Sequence, residues 1–223
     1  MIELNVFTNC VHENMGTELI DTTVKSFFDT FGTPISLKVW LDNNPASVSG
    51  GQYEKQVREK YEVVEEVKSL SDGYIKAIQS SSADYLFMLE HDYAFFSQNV
   101  HHTVSEILDF MSEFSVEHLR FNHNNNLVRG PWVPWLKEFG SPTFRACEVK
   151  MRSNRPHILD RNHYLELIEK GVILVKDGSK GIEERFWKFP EYTGTVYGAP
   201  GDNCTIRHLD GRGADYGNTR PSE

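Results

Sequence analysis

Acids and an imidazole gather where an apolar run stops: Tyr85-Leu86-Phe87-Met88-Leu89 leads directly into Glu90-His91-Asp92. Five consecutive apolar or aromatic residues are the pattern of a strand buried on both faces. Two carboxylates where such a strand leaves the core repel each other unless a cation or hydrogen-bond donors offset their charge. The chemistry they suggest is divalent-metal binding. The plainer alternative is that they solvate the strand end, although ligands of α/β folds gather at that same edge.

The elements that must position these residues alternate strand and helix, the pattern of a sheet covered by helices. A first strand is expected over 2–7, ending at Thr8-Asn9-Cys10, and a helix over 18–31, stopped by Gly32-Thr33-Pro34. A second strand over 35–41 ends at Asp42; a short helix over 53–60 and a weak strand over 62–67 follow. Ser71 is expected to cap a helix over 71–80 that leads into the Tyr85 strand. Beyond it the spacing predicts a helix over 100–114, strands near 118–122 and 144–151, a helix over 161–171 and a short helix over 183–189. Strands near 195–197 and 203–207 precede a glycine-rich tail. The segment from Pro131 to Trp135 reads as an aromatic, proline-rich loop, and Asn122 to Asn126 as a solvated polar turn.

The 223 residues suffice for one α/β domain. Acids outnumber bases 32 to 23, and the net charge of -9 argues against general binding to nucleic acid or anionic lipid. An anionic substrate needs local help from a metal or a few placed basic side chains. No basic start precedes a long apolar stretch, and no run approaches the roughly 18 apolar residues of a membrane span, so a soluble, unprocessed chain is expected. Cys10, Cys147 and Cys204 are odd in number and widely spaced, which fits reduced thiols and a cytoplasmic location.

The stretch from Ser71 to Asp92 resembles the segment of GT-A glycosyltransferases in which a helix and a buried strand lead to the "DXD" metal motif, with Glu90-His91-Asp92 in its place. The resemblance extends unevenly over most of the chain. It implies a GT-A fold, a mixed α/β sheet flanked by helices, with the donor-binding part over about residues 1–95 and the acceptor-binding part over about 96–223. In size and layout the chain is similar to small GT-A domains encoded by large algal viruses. The implied activity is transfer of a sugar from a nucleotide-diphosphate sugar, with uridine or guanosine as base, to a carbohydrate hydroxyl, with inversion. The implied cofactor is Mn²⁺ or Mg²⁺, held by Asp92 and His208, with Glu90 as a further ligand or a contact to ribose or metal-bound water.

The other site residues follow from the same resemblance. Thr8, Asn9 and Asp42 border the base and ribose, His91 leans over the nucleotide, and Lys76 and Arg212 are phosphate partners. Glu184, or else Glu183, takes the proton of the attacking hydroxyl, although acids opening a helix also simply complement its dipole. Trp132, Trp135, Arg152, Arg155 and His157 form the acceptor side; the tryptophans equally suit packing of a loop onto the core. The family often carries an Arg near the helix before the metal motif, where Tyr74-Ile75-Lys76 offers only a Lys. Three other readings compete. A non-haem iron oxygenase needs a second His after His208, and none follows. A sugar nucleotidyltransferase usually shows a glycine-rich basic loop after its first strand, unlike Thr8-Asn9-Cys10-Val11-His12. A non-catalytic nucleotide- or sugar-binding module would keep the fold and lose the base.

Overall fold

The computed structural model describes residues 1–10, 16–32, 35–42, 51–126, 135–175, 182–186 and 188–209. In chain order the elements are β1 (Ile2–Thr8), α1 (Glu18–Phe31), β2 (Ser36–Asp42), α2 (Gln52–Lys60), β3 (Val63–Val67), α3 (Leu70–Ser80), β4 (Tyr85–Glu90) and β5 (Tyr93–Phe95). A 3₁₀ turn at Ser97–Asn99 leads to α4 (Val104–Glu113), β6 (His118–Arg120), β7 (Trp135–Gly140), β8 (Arg145–Val149), β9 (His157–Asp160) and α5 (Arg161–Glu169). Last come α6 (Glu183–Phe186), β10 (Gly194–Tyr197) and β11 (Ile206–His208).

Nine of these strands form one mixed sheet in the order β3-β2-β1-β4-β9-β6-β10-β8-β7. β1 pairs in parallel with both β2 and β4, whereas β9 runs antiparallel to β4 and β6. The chain therefore moves outward from β1 to β3 and returns to β4 on the other side. That reversal makes the carboxyl ends of β1 and β4, at Thr8 and Glu90, the sheet's switch point, the place where ligands of open α/β sheets bind. β5 and β11 form a separate two-stranded ribbon.

β4 is buried on both faces, as its apolar run predicts. Phe87 and Leu89 join the cluster beneath α1 with Val6, Phe27 and Phe121; Leu86 and Met88 join the opposite one with Phe7, Trp40, Tyr74 and Leu159. The Phe87 ring lies parallel to Phe121 at 5.5 Å and edge-on to Phe27 at 4.8 Å. These contacts fix the strand that carries the acids.

Several boundaries differ from expectation. Ser69, not Ser71, caps α3, accepting a hydrogen bond from the Asp72 amide, because the helix starts a residue earlier than its apolar spacing shows. α4 begins at Val104, where Thr103 and Glu106 form a capping box that ends the preceding turn. β5, β9 and, past Trp135, β7 are strands in segments where no element is expected. The Asn122–Asn126 turn is not solvated at its ends: Asn122 and Asn126 are buried and bonded to one another, and the Asn126 amide donates to the Tyr197 carbonyl.

Candidate active site

The turn after β4 is held from three sides. The His91 amide donates to the Phe7 carbonyl of β1 (2.9 Å), the Thr23 hydroxyl of α1 donates to the His91 carbonyl (2.5 Å), and the Leu209 amide donates to the Asp92 carbonyl (2.7 Å). The last bond ties the turn to the end of β11. The ribbon register sets His208 opposite Tyr93, with the two rings edge-on at 4.6 Å. The imidazole is thereby brought to Asp92: His208 Nε2 lies 3.5 Å from Asp92 Oδ2, and the Asp92 side chain is 5% exposed.

Tyr93 links this pair to the remaining acids. Burial pushes its hydroxyl well above the usual phenol range, and the charges of Glu90, Asp92 and Glu183 push it further. Tyr74, stacked on Phe7 at 4.5 Å, is raised the same way, by burial first and then by Glu90. Both hydroxyls remain protonated donors beside carboxylates. Glu183, at the start of α6, receives the Ser153 hydroxyl at 3.5 Å, and its amide donates to Asn154 Oδ1 at 3.2 Å. Glu184 follows it in α6, with its side chain outside the described residues.

The other expected site residues divide sharply. Asp42 ends β2 with its carboxyl raised, by burial and then by the nearby charge of Asp72, and its Oδ1 has no hydrogen-bond partner among the described residues. Lys76 pairs with Asp72 at 3.4 Å. Asn9 is half-buried just past β1, whereas Thr8 is buried and its hydroxyl is bonded to that of Tyr53. His91 is buried, so its ring is not open to lean over a nucleotide. Arg155 reaches Asn122 Oδ1 (2.8 Å) and lies in the field of Tyr93 and Glu183. Arg152 and His157 do not lie open to an acceptor. Arg152 is buried between Phe186, Tyr164 and Tyr192, bonded to Glu117 and the Thr193 carbonyl. His157 is 0% exposed and stacked on His118 at 4.3 Å. Trp135 begins β7 with its side chain outside the described residues; Trp132 and Arg212 lie outside them altogether.

Sequence reasoning did not single out Arg120, His123 or Tyr93. Burial holds the His123 imidazole down to about 4, aided by the positive charges of Arg155 and Arg120. Arg120 is the one with a legible signal, a charge inside an expected strand. Among the described residues no three His, Cys, Asp or Glu side chains converge into a metal cage. Two donors nevertheless stand together. The 3.5 Å between Asp92 Oδ2 and His208 Nε2 is close to the roughly 3 Å between adjacent corners of an octahedron with bonds of about 2.1 Å.

No protein-family model and no curated protein matches the chain. Solved structures do. The structure of S. aureus TarS 1–349 superposes with a TM-score of 0.51 at 11% identity, covering 94% of this chain and 61% of that one. TarS 1–349 in complex with UDP-GlcNAc gives 0.54 at 12% identity, with 92% and 58% covered, and its complex with UDP gives 0.53 at 13%, with 92% and 60% covered. The fold is GT-A. This chain spans about three fifths of the length of the structures it matches. Asp42 at the end of β2 and Glu90 at the end of β4 share the carboxyl edge of the sheet, and Asp92 and His208 meet in the turn and ribbon beyond it. No helix among the described residues is long and apolar enough to cross a membrane.

Proposed function

We propose that the chain is a metal-dependent glycosyltransferase that moves a sugar from a nucleotide-diphosphate sugar to a carbohydrate hydroxyl, with inversion. The observation that carries this reading is the Asp92–His208 pair at the sheet's switch point, joined through Tyr93 to the field of Glu183. The crystallised complexes of TarS with UDP-GlcNAc and UDP favour uridine as the base.

Asp92 and His208 would hold the cation, and an oxygen with a nitrogen donor suits Mn²⁺ better than Mg²⁺. A bound cation would supply charge neutralisation for the departing diphosphate. Everything else falls to side chains. Asp42 and Asn9 border the base and ribose, and Glu90 reaches the ribose. The acceptor hydroxyl gives its proton to Glu184, with Glu183 as the alternative base, as its oxygen bonds to the anomeric carbon. The bond from that carbon to the diphosphate breaks with its electron pair leaving on the nucleotide. Tyr93 and Tyr74, kept protonated, donate hydrogen bonds beside the reacting centre. The donor occupies the first part of the chain and the acceptor the part from β6 onward.

The test is release of UDP from UDP-sugars with Mn²⁺ and a panel of saccharide acceptors. Release that requires donor, cation and acceptor together is the expected result. Nucleotide binding without release under every combination would instead make the chain a binding module. Glu184→Gln is expected to lower turnover about a hundredfold or more with donor affinity kept. If neither it nor Glu183→Gln changes turnover, the base does not lie on α6.

A further inference from the structure

Arg120 ends β6, is 3% exposed, and stands opposite His157 across the β6–β9 ladder. Its Nε has no hydrogen-bond partner among the described residues, and no carboxylate there forms an ion pair with it. The acid whose field reaches it is Glu183, while Arg155 adds a like charge. Arg155 is half-buried and shares the field of Glu183. Glu183 is the carboxylate whose charge reaches both guanidiniums, and it is not bonded to Arg120, so that side chain keeps a donor without an acceptor in a poorly solvated place. Such a group is destabilising unless an anion with matching acceptors meets it. The guanidinium fork matches the paired oxygens of a carboxylate or phosphate.

The geometry points to Arg120 and Arg155 as an oxyanion subsite of the candidate active site, one that reads a carboxylate or phosphate group on the acceptor. The acceptor is favoured over the donor by position: Arg155 adjoins Asn154, whose side-chain oxygen accepts the Glu183 amide at the start of α6, the helix that bears the proposed base, and Arg120 stands opposite His157, two residues on, across the β6–β9 ladder. The diphosphate belongs instead to the Asp92–His208 side. The substrate class is thus an acidic saccharide. This rests on the transferase reading for the assignment to the acceptor; the existence of an anion subsite does not depend on it.

Thermal unfolding of the chain in buffers of equal ionic strength tests the inference, with glucose, glucuronate, inorganic phosphate, or UDP with Mn²⁺ added. Glucuronate and phosphate are expected to raise Tm where glucose does not. Arg120→Met is expected to lose that rise, with anion affinity down about ten- to a hundredfold, while keeping its response to UDP and Mn²⁺. Without anion, Arg120→Met is expected to melt no lower than the wild type, since an apolar chain of similar length replaces an unmatched charge. A wild type that neither anion stabilises beyond matched chloride overturns the subsite, as does an Arg120→Met protein that keeps the anion response. An Arg120-dependent response to UDP alone overturns the acceptor assignment. None of these readouts needs turnover, so failure of UDP and Mn²⁺ to bind would count against the transferase and leave the anion result standing.

Discussion

At the residue scale the proposed site depends on two side chains far apart in the sequence, one in the turn after β4 and one on β11. If Asp92 and His208 hold a cation, Asp92→Asn removes a charged donor and His208→Ala a neutral one. Titration calorimetry with UDP is expected to show Mn²⁺-dependent binding nearly abolished in the first and weakened about ten- to a hundredfold in the second. Equal affinity in both variants and in the wild type would remove the metal from the reading. The acids were legible because a carboxylate beside a doubly buried strand is costly by itself. Tyr93 was not, since its burial is created by the ribbon, and Arg120 offered only a charge inside an expected strand, its lack of a partner being set by the fold. Arg152 and His157 erred the other way. Their side-chain types suit an acceptor, but burial turns one into a pillar among aromatic rings and the other into a stacked core histidine.

At the element scale, β4 and α1 follow from periodicity alone, because each buries a long and regular apolar face. The three-residue strands β5, β6 and β11 and the four-residue β9 have no room for a period, so pairing partners define them. Turn preference likewise cannot separate a solvated asparagine from one bonded in the interior, as at Asn122 and Asn126. Phe87→Ala opens a cavity among Phe27, Phe95 and Phe121, and is expected to cost about 3–5 kcal/mol in chemical denaturation. Thr103→Ala breaks the capping box of α4, away from the switch point. It is expected to cost about 1 kcal/mol with nucleotide binding unchanged.

At the scale of the whole molecule, buried imidazoles set a response to acid. Burial holds His157 down to about 4 and His118 well below its ordinary value. Between the ordinary histidine value near 6.5 and those depressed values, the unfolded chain binds protons that the folded chain refuses. Stability is therefore full above about pH 6.5 and falls as the pH drops toward 4. Denaturation at about pH 5 is expected to show a loss on the order of 2 kcal/mol from His157 relative to pH 7, with His118 acting in the same direction. A flat profile over that interval would mean that these rings take up protons in the folded chain as readily as in the unfolded one. The ribbon has a consequence for biosynthesis as well. β4 can pair with β1 and β2 before β11 is made, whereas His208 arrives with β11, more than a hundred residues after Asp92. On the proposed function, a nascent chain would hold the strands of the nucleotide side before the donor pair for a cation is complete, and competence would come in a late step.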